Sequence, residues 1–301
     1  MRVEKRTLGR TGMSVTALGY GGAEIGFQHV AQPVVDRLLN EALDAGLNVI
    51  DTAECYNDSE GLIGRAVGRR RADYYLFTKV GHAHNLEGEN WSPSMMRESI
   101  ERSLRRLRTD CVDLLQLHSC SEDLLRAGEV VDVVLQARES GKTRFVGYSG
   151  DGDAAIYAIR SGAFDVLQTS VSVADQEAID RVLPVAVEAG IGVIAKRPVA
   201  NAAWRTSELP EEVYHQTYWR RLQKLGYEFL GLPLGEAVSV ALRFTLAQPG
   251  VHTAIVGTSQ PGRWSENAAR LEADGPLSAE TIEAIRGRWK EVAEADWVGD
   301  T

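Results

Sequence analysis

Apolar and polar positions along the chain alternate between two patterns. Short apolar, β-branched runs typical of buried strands are separated by longer segments with the 3.6-residue spacing of amphipathic helices. Counting from Ala17, eight predicted strands each precede a helix. After the first, these strands cover residues 47–51, 74–79, 112–117, 143–148, 165–169, 191–196 and 253–256. The predicted helices cover residues 33–45, 59–68, 93–107, 121–139, 153–161, 175–189, 211–225, 234–247, 261–272 and about 278–294.

The number of strand–helix units decides the fold class. An open, doubly wound sheet usually stops at five to seven strands, whereas eight units in a chain of 301 residues suit a closed (β/α)8 TIM barrel. Residues 2–8 and 14–18 flank a glycine-rich turn and predict an N-terminal β-hairpin. The last helix is an extra C-terminal element, and no linker divides the chain. We therefore predict a single α/β domain over residues 1–301.

Composition excludes several function classes. The chain has 44% hydrophobic and 25% charged residues with a net charge of −9, which argues against a nucleic acid or an anionic membrane as partner. We find no signal peptide and no apolar run long enough to span a bilayer. Three cysteines without metal-ligand spacing predict a reduced, cytoplasmic protein. The sequence leaves the oligomeric state open.

Four polar residues follow the predicted strands at one end of the barrel. Asp51 and Lys79 end strands two and three, His118 ends strand four, and Tyr56 lies in the loop after Asp51. Each alone has an ordinary structural explanation: a turn cap, a salt bridge, a satisfied histidine or loop packing. Because the C-terminal strand ends of such a barrel build its active site, the four are expected to converge.

The motifs around these residues resemble the aldo-keto reductase family along essentially the whole chain. The segment DTAECYNDSEGLIG is similar to the family's D-T-A-x-x-Y-x-x-S-E signature, and FTKV and LLQLH to its lysine and histidine strands. IVGTSQPGRWSENA is similar to its C-terminal cofactor motif. The resemblance implies a barrel enzyme that reduces an aldehyde or ketone, or oxidises an alcohol, with NADPH/NADP+. It also implies a catalytic tetrad of Asp51, Tyr56, Lys79 and His118.

Chemistry explains why these residue types would act together. Hydride attack on a carbonyl develops an alkoxide that needs a proton, and a phenol near pKa 10 supplies it poorly unless tuned. We expect Lys79 to favour the phenolate of Tyr56 through a hydrogen bond, and Asp51 to hold Lys79 charged. His118 is expected to direct the carbonyl oxygen towards the Tyr56 hydroxyl.

The resemblance also assigns cofactor-binding residues. These are Gly22, Asp51, Ser149, Gln168, Lys196, Arg197, Pro198, Gly257, Thr258, Arg263, Glu266 and Asn267. Three positions depart from the usual pattern: Gly150 replaces an asparagine, Lys196 a stacking tyrosine and Gly257 a lysine. Lys196 and Arg197 are expected to reach the cofactor, unless they are surface cations. Arg263, in the first turn of a helix, suits a 2′-phosphate, so we expect a preference for NADP(H).

Substrate identity does not follow from the sequence beyond a small carbonyl or alcohol. Candidate substrate residues are Tyr20, Trp91 and Ser119. Glycines at the first strand exit do not form the G-x-G-x-x-G fingerprint, and no helix is expected to begin there, which excludes Rossmann-type dinucleotide binding. One alternative is a cofactor-sensing regulatory subunit with little turnover. A metal-dependent hydrolase is disfavoured because one histidine and one aspartate beside a lysine make a poor ligand set, so no metal is expected.

Overall fold

Eight parallel strands close into a barrel in this structure, a computed structural model that describes residues 3–299. Each strand pairs with the next along the chain, and the last pairs with the first, which confirms the predicted (β/α)8 fold. The barrel strands are β3 (Leu18–Gly21), β4 (Val49–Asp51), β5 (Tyr75–Val80), β6 (Val112–His118), β7 (Thr143–Ser149), β8 (Val166–Ser170), β9 (Gly192–Lys196) and β10 (Thr253–Gly257). Residue 2, where the predicted hairpin begins, and the rest of the predicted domain at residues 1, 300 and 301 lie outside the described part.

Helices surround the barrel. They are α1 (Ala23–Phe27), α2 (Gln32–Asp44), α3 (Ser59–Val67), α4 (Pro93–Leu107), α5 (Glu122–Ala127), α6 (Glu129–Glu139), α7 (Gly152–Ser161), α8 (Glu177–Arg181), α9 (Leu183–Glu188), α10 (Val213–Leu225), α11 (Leu234–Leu246), α12 (Arg263–Asp274) and α13 (Ala279–Val292). The last of these is the predicted extra helix. Within residues 3–299, none of the helices has both the length and the apolar character to cross a bilayer.

Helix α4 shows how the sequence specifies these elements. Ser92 precedes it and Pro93 occupies its first turn, where the missing N–H costs nothing. Its buried face carries Met95, Met96, Ile100, Leu104 and Leu107, close to the period of a helix packed on one side. It ends at Leu107, because the next residue, Arg108, adopts a left-handed conformation with φ of 56°.

Three predictions about helices were wrong. Residues 121–139 form two helices, because Gly128 between them has φ of 86° and cannot continue either one. Residues 175–189 are also split, and Pro184 lies in the first turn of the second piece. A short helix, α1, does follow the glycines of the first barrel strand, with Gly22 at its N-terminus.

An antiparallel hairpin closes the N-terminal end of the barrel. Strands β1 (Lys5–Thr7) and β2 (Ser14–Thr16) form it, which confirms the prediction. Three hairpin side chains, Leu8, Met13 and Val15, are fully buried in the barrel mouth. They pack with side chains from five strands: Val49, Phe77, Leu114, Val166 and Ile194. The hairpin thereby seals this end of the barrel and leaves the opposite end for ligands.

Candidate active site

A buried ion pair joins the ends of β4 and β5. Lys79 Nζ donates to Asp51 Oδ1 at 2.5 Å and to the Thr52 carbonyl oxygen at 2.9 Å. The second Asp51 oxygen, Oδ2, accepts from Gln116 Nε2 at 3.2 Å. Both charged side chains are only 2% exposed, so neither charge is tolerable without the other. The expected contact between Asp51 and Lys79 is therefore present.

Tyr56 lies beside this pair but accepts no hydrogen bond from Lys79. Lys79 Nζ is 5.1 Å from the centroid of the phenol ring, and within the described residues it donates to Asp51 and Thr52 instead. Burial raises the pKa of Tyr56 well above its usual value, the negative charge of Asp51 adds to this, and Arg197 opposes it. The expected lowering of the Tyr56 pKa by Lys79 is thus not found. The phenol therefore keeps its proton in the free chain.

His118 ends β6 as a neutral imidazole. Its ring centroid lies 5.6 Å from that of Tyr56 in an edge-to-face arrangement. Its Nδ1 is 3.4 Å from the Cys55 sulfur, and its carbonyl oxygen is 3.1 Å from His82 Nε2. Burial lowers the pKa of His118 well below the usual value, and the nearby charge of Lys79 lowers it further. A neutral ring offers one N–H to a substrate oxygen without adding charge.

Ser149 and Gln168 lie side by side with His118 on three neighbouring strands. Strand register places His118 opposite Ser149, and Ser149 opposite Gln168. Gln168 is completely buried, yet Oε1 and Nε2 of its amide both lack hydrogen-bond partners among the described residues. Buried polar atoms without partners are rare and costly. This amide is therefore a candidate to bind a ligand amide, as a nicotinamide carboxamide would provide.

Asp151 is a site residue that the sequence predictions missed. Its Oδ2 forms an ion pair with Lys196 Nζ at 3.0 Å, and its Oδ1 accepts from Thr169 Oγ1 at 2.7 Å and the Ser170 N–H at 2.6 Å. Lys196 closes β9 and is 91% buried. Lys196 is thus not a surface cation, and its first partner is a carboxylate of this chain. The sequence did offer one sign of this site residue, because Asp151 is an acidic residue two positions after the end of β7.

Arg197 is held by hydroxyl groups. Its Nε donates to the Tyr214 hydroxyl at 2.7 Å, and its Nη1 donates to Ser170 Oγ at 3.1 Å and the Tyr218 hydroxyl at 3.3 Å. Its backbone has φ of 53°, an uncommon left-handed conformation. The next residue, Pro198, is buried and its carbonyl accepts from Thr245 at 3.0 Å. This half-buried guanidinium has no carboxylate within 4 Å in the described part of the chain, so it remains available to an anion.

The end of β10 forms the other part of the predicted cofactor site. Gly257 faces the Glu24 carboxylate so closely that an added Cβ would lie 1.6 Å from Glu24 Oε2. Thr258 Oγ1 accepts from the Gln260 N–H at 3.1 Å, which fixes the turn into α12. Helix α12 begins at Arg263, two residues after the predicted start at residue 261, and Arg263 lies in its first turn as expected.

Arg263 already has partners in the free chain. Its guanidinium contacts Glu266 Oε2 at 2.9 Å and Gln260 Oε1 at 3.0 Å, and the Arg263 and Glu266 side chains are largely exposed. Asn267, one position on, is buried. Gly22 is covered by Ser59, whose hydroxyl donates to its carbonyl at 2.7 Å, and an added Cβ would lie 2.8 Å from that oxygen. The start of α12 therefore presents an exposed guanidinium, whereas the glycine turn after β3 is tightly packed.

The predicted substrate residues differ in position. Tyr20 is fully buried, and its hydroxyl donates to the Thr258 carbonyl at 2.9 Å, so it supports the turn after β10 and offers no surface to a substrate. Trp91 packs on Gly81, and its ring is 5.3 Å from that of His82, which in turn is 5.2 Å from His118. Ser119 directly follows His118 and is half-buried. The last two remain candidates.

Comparison with known proteins decides the family. The model of the aldo/keto reductase family matches residues 17–290. The chain belongs to the aldo/keto reductase family. It is 29% identical over 314 residues to L-galactose dehydrogenase of Arabidopsis thaliana, covering 98% of this chain and 97% of that protein. It is 28% identical to the NADH-specific methylglyoxal reductase of Escherichia coli (strain K12), covering 93% and 96%. The holo form of aldo-keto reductase AKR11C1 from Bacillus halodurans superposes with a TM-score of 0.82 at 28% identity, covering 98% of this chain and 99% of that one.

Three positions of the chain depart from the usual pattern of the aldo/keto reductase family, and the structure shows what lies beside each of them. Where a stacking tyrosine is usual, Lys196 is paired with Asp151. Where an asparagine is usual, Gly150 lies so close to Tyr148 that an added Cβ would be 2.3 Å from its hydroxyl. Where a lysine is frequent, Gly257 is covered by Glu24. At each of these positions a side chain of this chain lies close by: Asp151, Tyr148 and Glu24.

Proposed function

We propose that this aldo/keto reductase interconverts a carbonyl and an alcohol with NADP(H), with Tyr56 as the proton donor. The observation that carries the proposal is the convergence of Tyr56 and His118 beside the buried Asp51–Lys79 pair. The nicotinamide cofactor supplies the hydride when bound. The relatives named above act on a sugar and on methylglyoxal, which supports a small carbonyl or hydroxyl substrate.

Each residue has a role that its surroundings support. Tyr56 holds its proton on the phenol oxygen and donates it to the developing alkoxide. Neutral His118 orients the carbonyl oxygen through a ring N–H, and the positive charge of Lys79 stabilises the negative charge left on Tyr56. Asp51 keeps Lys79 charged and fixed.

Several residues are suited to hold the cofactor. The unpartnered amide of Gln168, next to Ser149, fits a carboxamide. Lys196, Arg197 and the donors around Thr258 and Arg263 fit the phosphates. We expect NADP(H) to be preferred because a phosphate can displace the exposed Glu266 from Arg263. The covering of Gly257 by Glu24 makes that preference incomplete.

Location and partners follow from the same considerations. The three cysteines are all free, which supports a reducing compartment such as the cytoplasm. A small molecule is the expected partner. The alternative, a cofactor-sensing subunit, is less favoured because Tyr56 and His118 lie beside the Asp51–Lys79 pair.

The proposal is tested by replacing Tyr56 with phenylalanine. Consumption of NADPH and NADH with a panel of aldehydes and sugars should be at least about 100-fold slower in Tyr56→Phe, the usual cost of a lost acid, while cofactor affinity stays nearly unchanged. Tyr157→Phe is the control, because Tyr157 lies on α7 and packs against Arg126. Turnover by Tyr56→Phe equal to that of the control would remove Tyr56 from this role.

A further inference from the structure

A carboxylate, a thiol and an imidazole meet beside the candidate active site. Glu54 and Cys55 follow β4, and His118 ends β6. One donor atom from each side chain lies within 4.8 Å of the other two. The proposed reaction uses neither Glu54 nor Cys55.

The separation of the thiol and the imidazole fits a shared metal ion. Zinc binds cysteine sulfur at about 2.3 Å and histidine nitrogen at about 2.0–2.1 Å, which places the two atoms about 3.5 Å apart at a tetrahedral angle. Cys55 Sγ and His118 Nδ1 are 3.4 Å apart. A zinc ion could therefore bind between them without a rearrangement of the backbone.

Glu54 provides an independent sign of a missing partner. It is completely buried, and its Oε1 accepts from the His82 N–H at 3.0 Å. Its Oε2 is also buried and has no hydrogen-bond partner within residues 3–299. Most buried polar atoms in proteins are satisfied, and a metal ion would satisfy this one.

The charges balance when a divalent ion is bound. A carboxylate and a thiolate together neutralise Zn²⁺, and the neighbouring Asp51–Lys79 pair is already neutral. The set of one sulfur, one nitrogen and one oxygen donor suits zinc better than magnesium or calcium, which prefer oxygen alone.

We infer that the chain binds one Zn²⁺ ion through Glu54, Cys55 and His118, and that the bound ion inhibits turnover. A water molecule would complete the tetrahedron. Inhibition follows because the metal holds the imidazole that orients the carbonyl, and this part of the inference rests on the proposed function. The site is regulatory and takes no part in hydride transfer.

Cobalt substitution tests the binding. Titration of the reduced, metal-free full chain with Co²⁺ should give the absorption bands of thiolate-ligated, tetrahedral cobalt, and Zn²⁺ should displace them. Cys55→Ser should abolish the thiolate band, and Glu54→Gln should weaken Zn²⁺ binding. The loss of affinity in Cys55→Ser should be at least about 100-fold, because even outer-shell changes cost 10- to 100-fold.

Cys111→Ser is the matched control. Cys111 is half-buried, donates to the Val112 carbonyl and lies just before β6, at the opposite end from His118. It should keep the cobalt spectrum of the unmodified chain. Absence of a thiolate band in the unmodified chain, or the same band in Cys55→Ser, would overturn the inference.

Turnover in the presence of zinc tests the second part of the inference, that the bound ion inhibits the enzyme. Zn²⁺ at a concentration that saturates the cobalt-competition curve should slow the unmodified chain at least tenfold, and a chelator should restore it. The ratio of rates with and without Zn²⁺ should be close to one in Cys55→Ser. Equal inhibition of both proteins would place the inhibitory ion elsewhere. If no carbonyl is turned over at all, the proposed function fails, while the cobalt titration still decides the metal site.

Discussion

Replacement of Asp151 by asparagine tests the ion pair at the ends of β7 and β9. The Asp151 and Lys196 side chains are only 3% and 11% exposed, with Oδ2 and Nζ 3.0 Å apart. Asparagine keeps one oxygen for Thr169 and Ser170, but its NH2 group would face the ammonium and leave the charge uncompensated. Removing one partner of a buried pair costs about 3–5 kcal/mol. Because half of the hydrogen bonds survive, we expect a loss of about 3 kcal/mol.

Urea unfolding at pH 7 measures this loss, and Asp153→Asn is its control. Asp153 lies two residues away and pairs with Arg181, but these side chains are 75% and 49% exposed. A surface pair of this kind contributes at most about 1 kcal/mol. The midpoint should therefore shift much further for Asp151→Asn than for Asp153→Asn, with the slope unchanged in both.

The pH dependence provides a second check on Asp151. Burial alone would raise its pKa, but the charge of Lys196 and hydrogen bonds from Ser170 and Thr169 hold the pKa below the ordinary value. A carboxyl whose pKa is lower in the folded state stabilises the fold above its unfolded pKa of about 3.9. That contribution is lost as the pH falls through the folded value. The difference in the free energy of unfolding between the unmodified chain and Asp151→Asn should therefore be largest at pH 7 and should decrease in acid. A gap below about 1 kcal/mol at pH 7, or one that persists in acid, would refute the role of the pair.

Four further substitutions test the cofactor site and the packing. Gln168→Leu should weaken cofactor binding about tenfold in a fluorescence titration, yet stabilise the free chain by about 1 kcal/mol, because two unpartnered buried atoms are removed. Arg263→Ala should raise the KM for NADPH at least about tenfold and leave that for NADH nearly unchanged. Gly64→Ala should destabilise by about 1–3 kcal/mol, because the new Cβ would lie 2.1 Å from the Arg106 carbonyl. Gly287→Ala, with open space around it in α13, should instead stabilise by about 0.5–1 kcal/mol.

Each of these predictions has a contrary result. Unchanged cofactor affinity in Gln168→Leu would mean that its amide does not bind the carboxamide. Equal effects of Arg263→Ala on both cofactors, or a preference of the unmodified chain for NADH, would show that this residue does not read the 2′-phosphate. Equal changes in Tm for Gly64→Ala and Gly287→Ala would contradict the close packing of α3 on α4.

The parts of the site that could be predicted depend on local signals. Asp51, Lys79 and His118 each interrupt an apolar run at the end of a strand, and strand ends in a barrel share one face. That pattern sufficed to predict their convergence. It could not show that Lys79 donates to Asp51 and Thr52 rather than to Tyr56, because such geometry depends on side chains from three different segments.

Asp151 and Lys196 show the limit of sequence patterns. The segment Asp151-Gly152-Asp153 is typical of a helix start, and nothing nearby indicates that Asp151 pairs with a lysine 45 positions later. Strand register brings Ser170 opposite Lys196 and so brings the ion pair together. By contrast, Gly128 was a readable stop signal within the predicted helix 121–139. The short helix α1 has no capping side chain, so no local residue indicates where it begins.

The hairpin that seals the barrel has a consequence for how the chain is made. Leu8, Met13 and Val15 emerge from the ribosome before the side chains that bury them, which extend as far as Ile194. About 180 residues must therefore be synthesised before these apolar residues are covered. At about 5–20 residues per second, this interval lasts roughly 10–40 s. During it the apolar side chains of the hairpin stay uncovered on the nascent chain, where a chaperone that acts on growing chains could bind them.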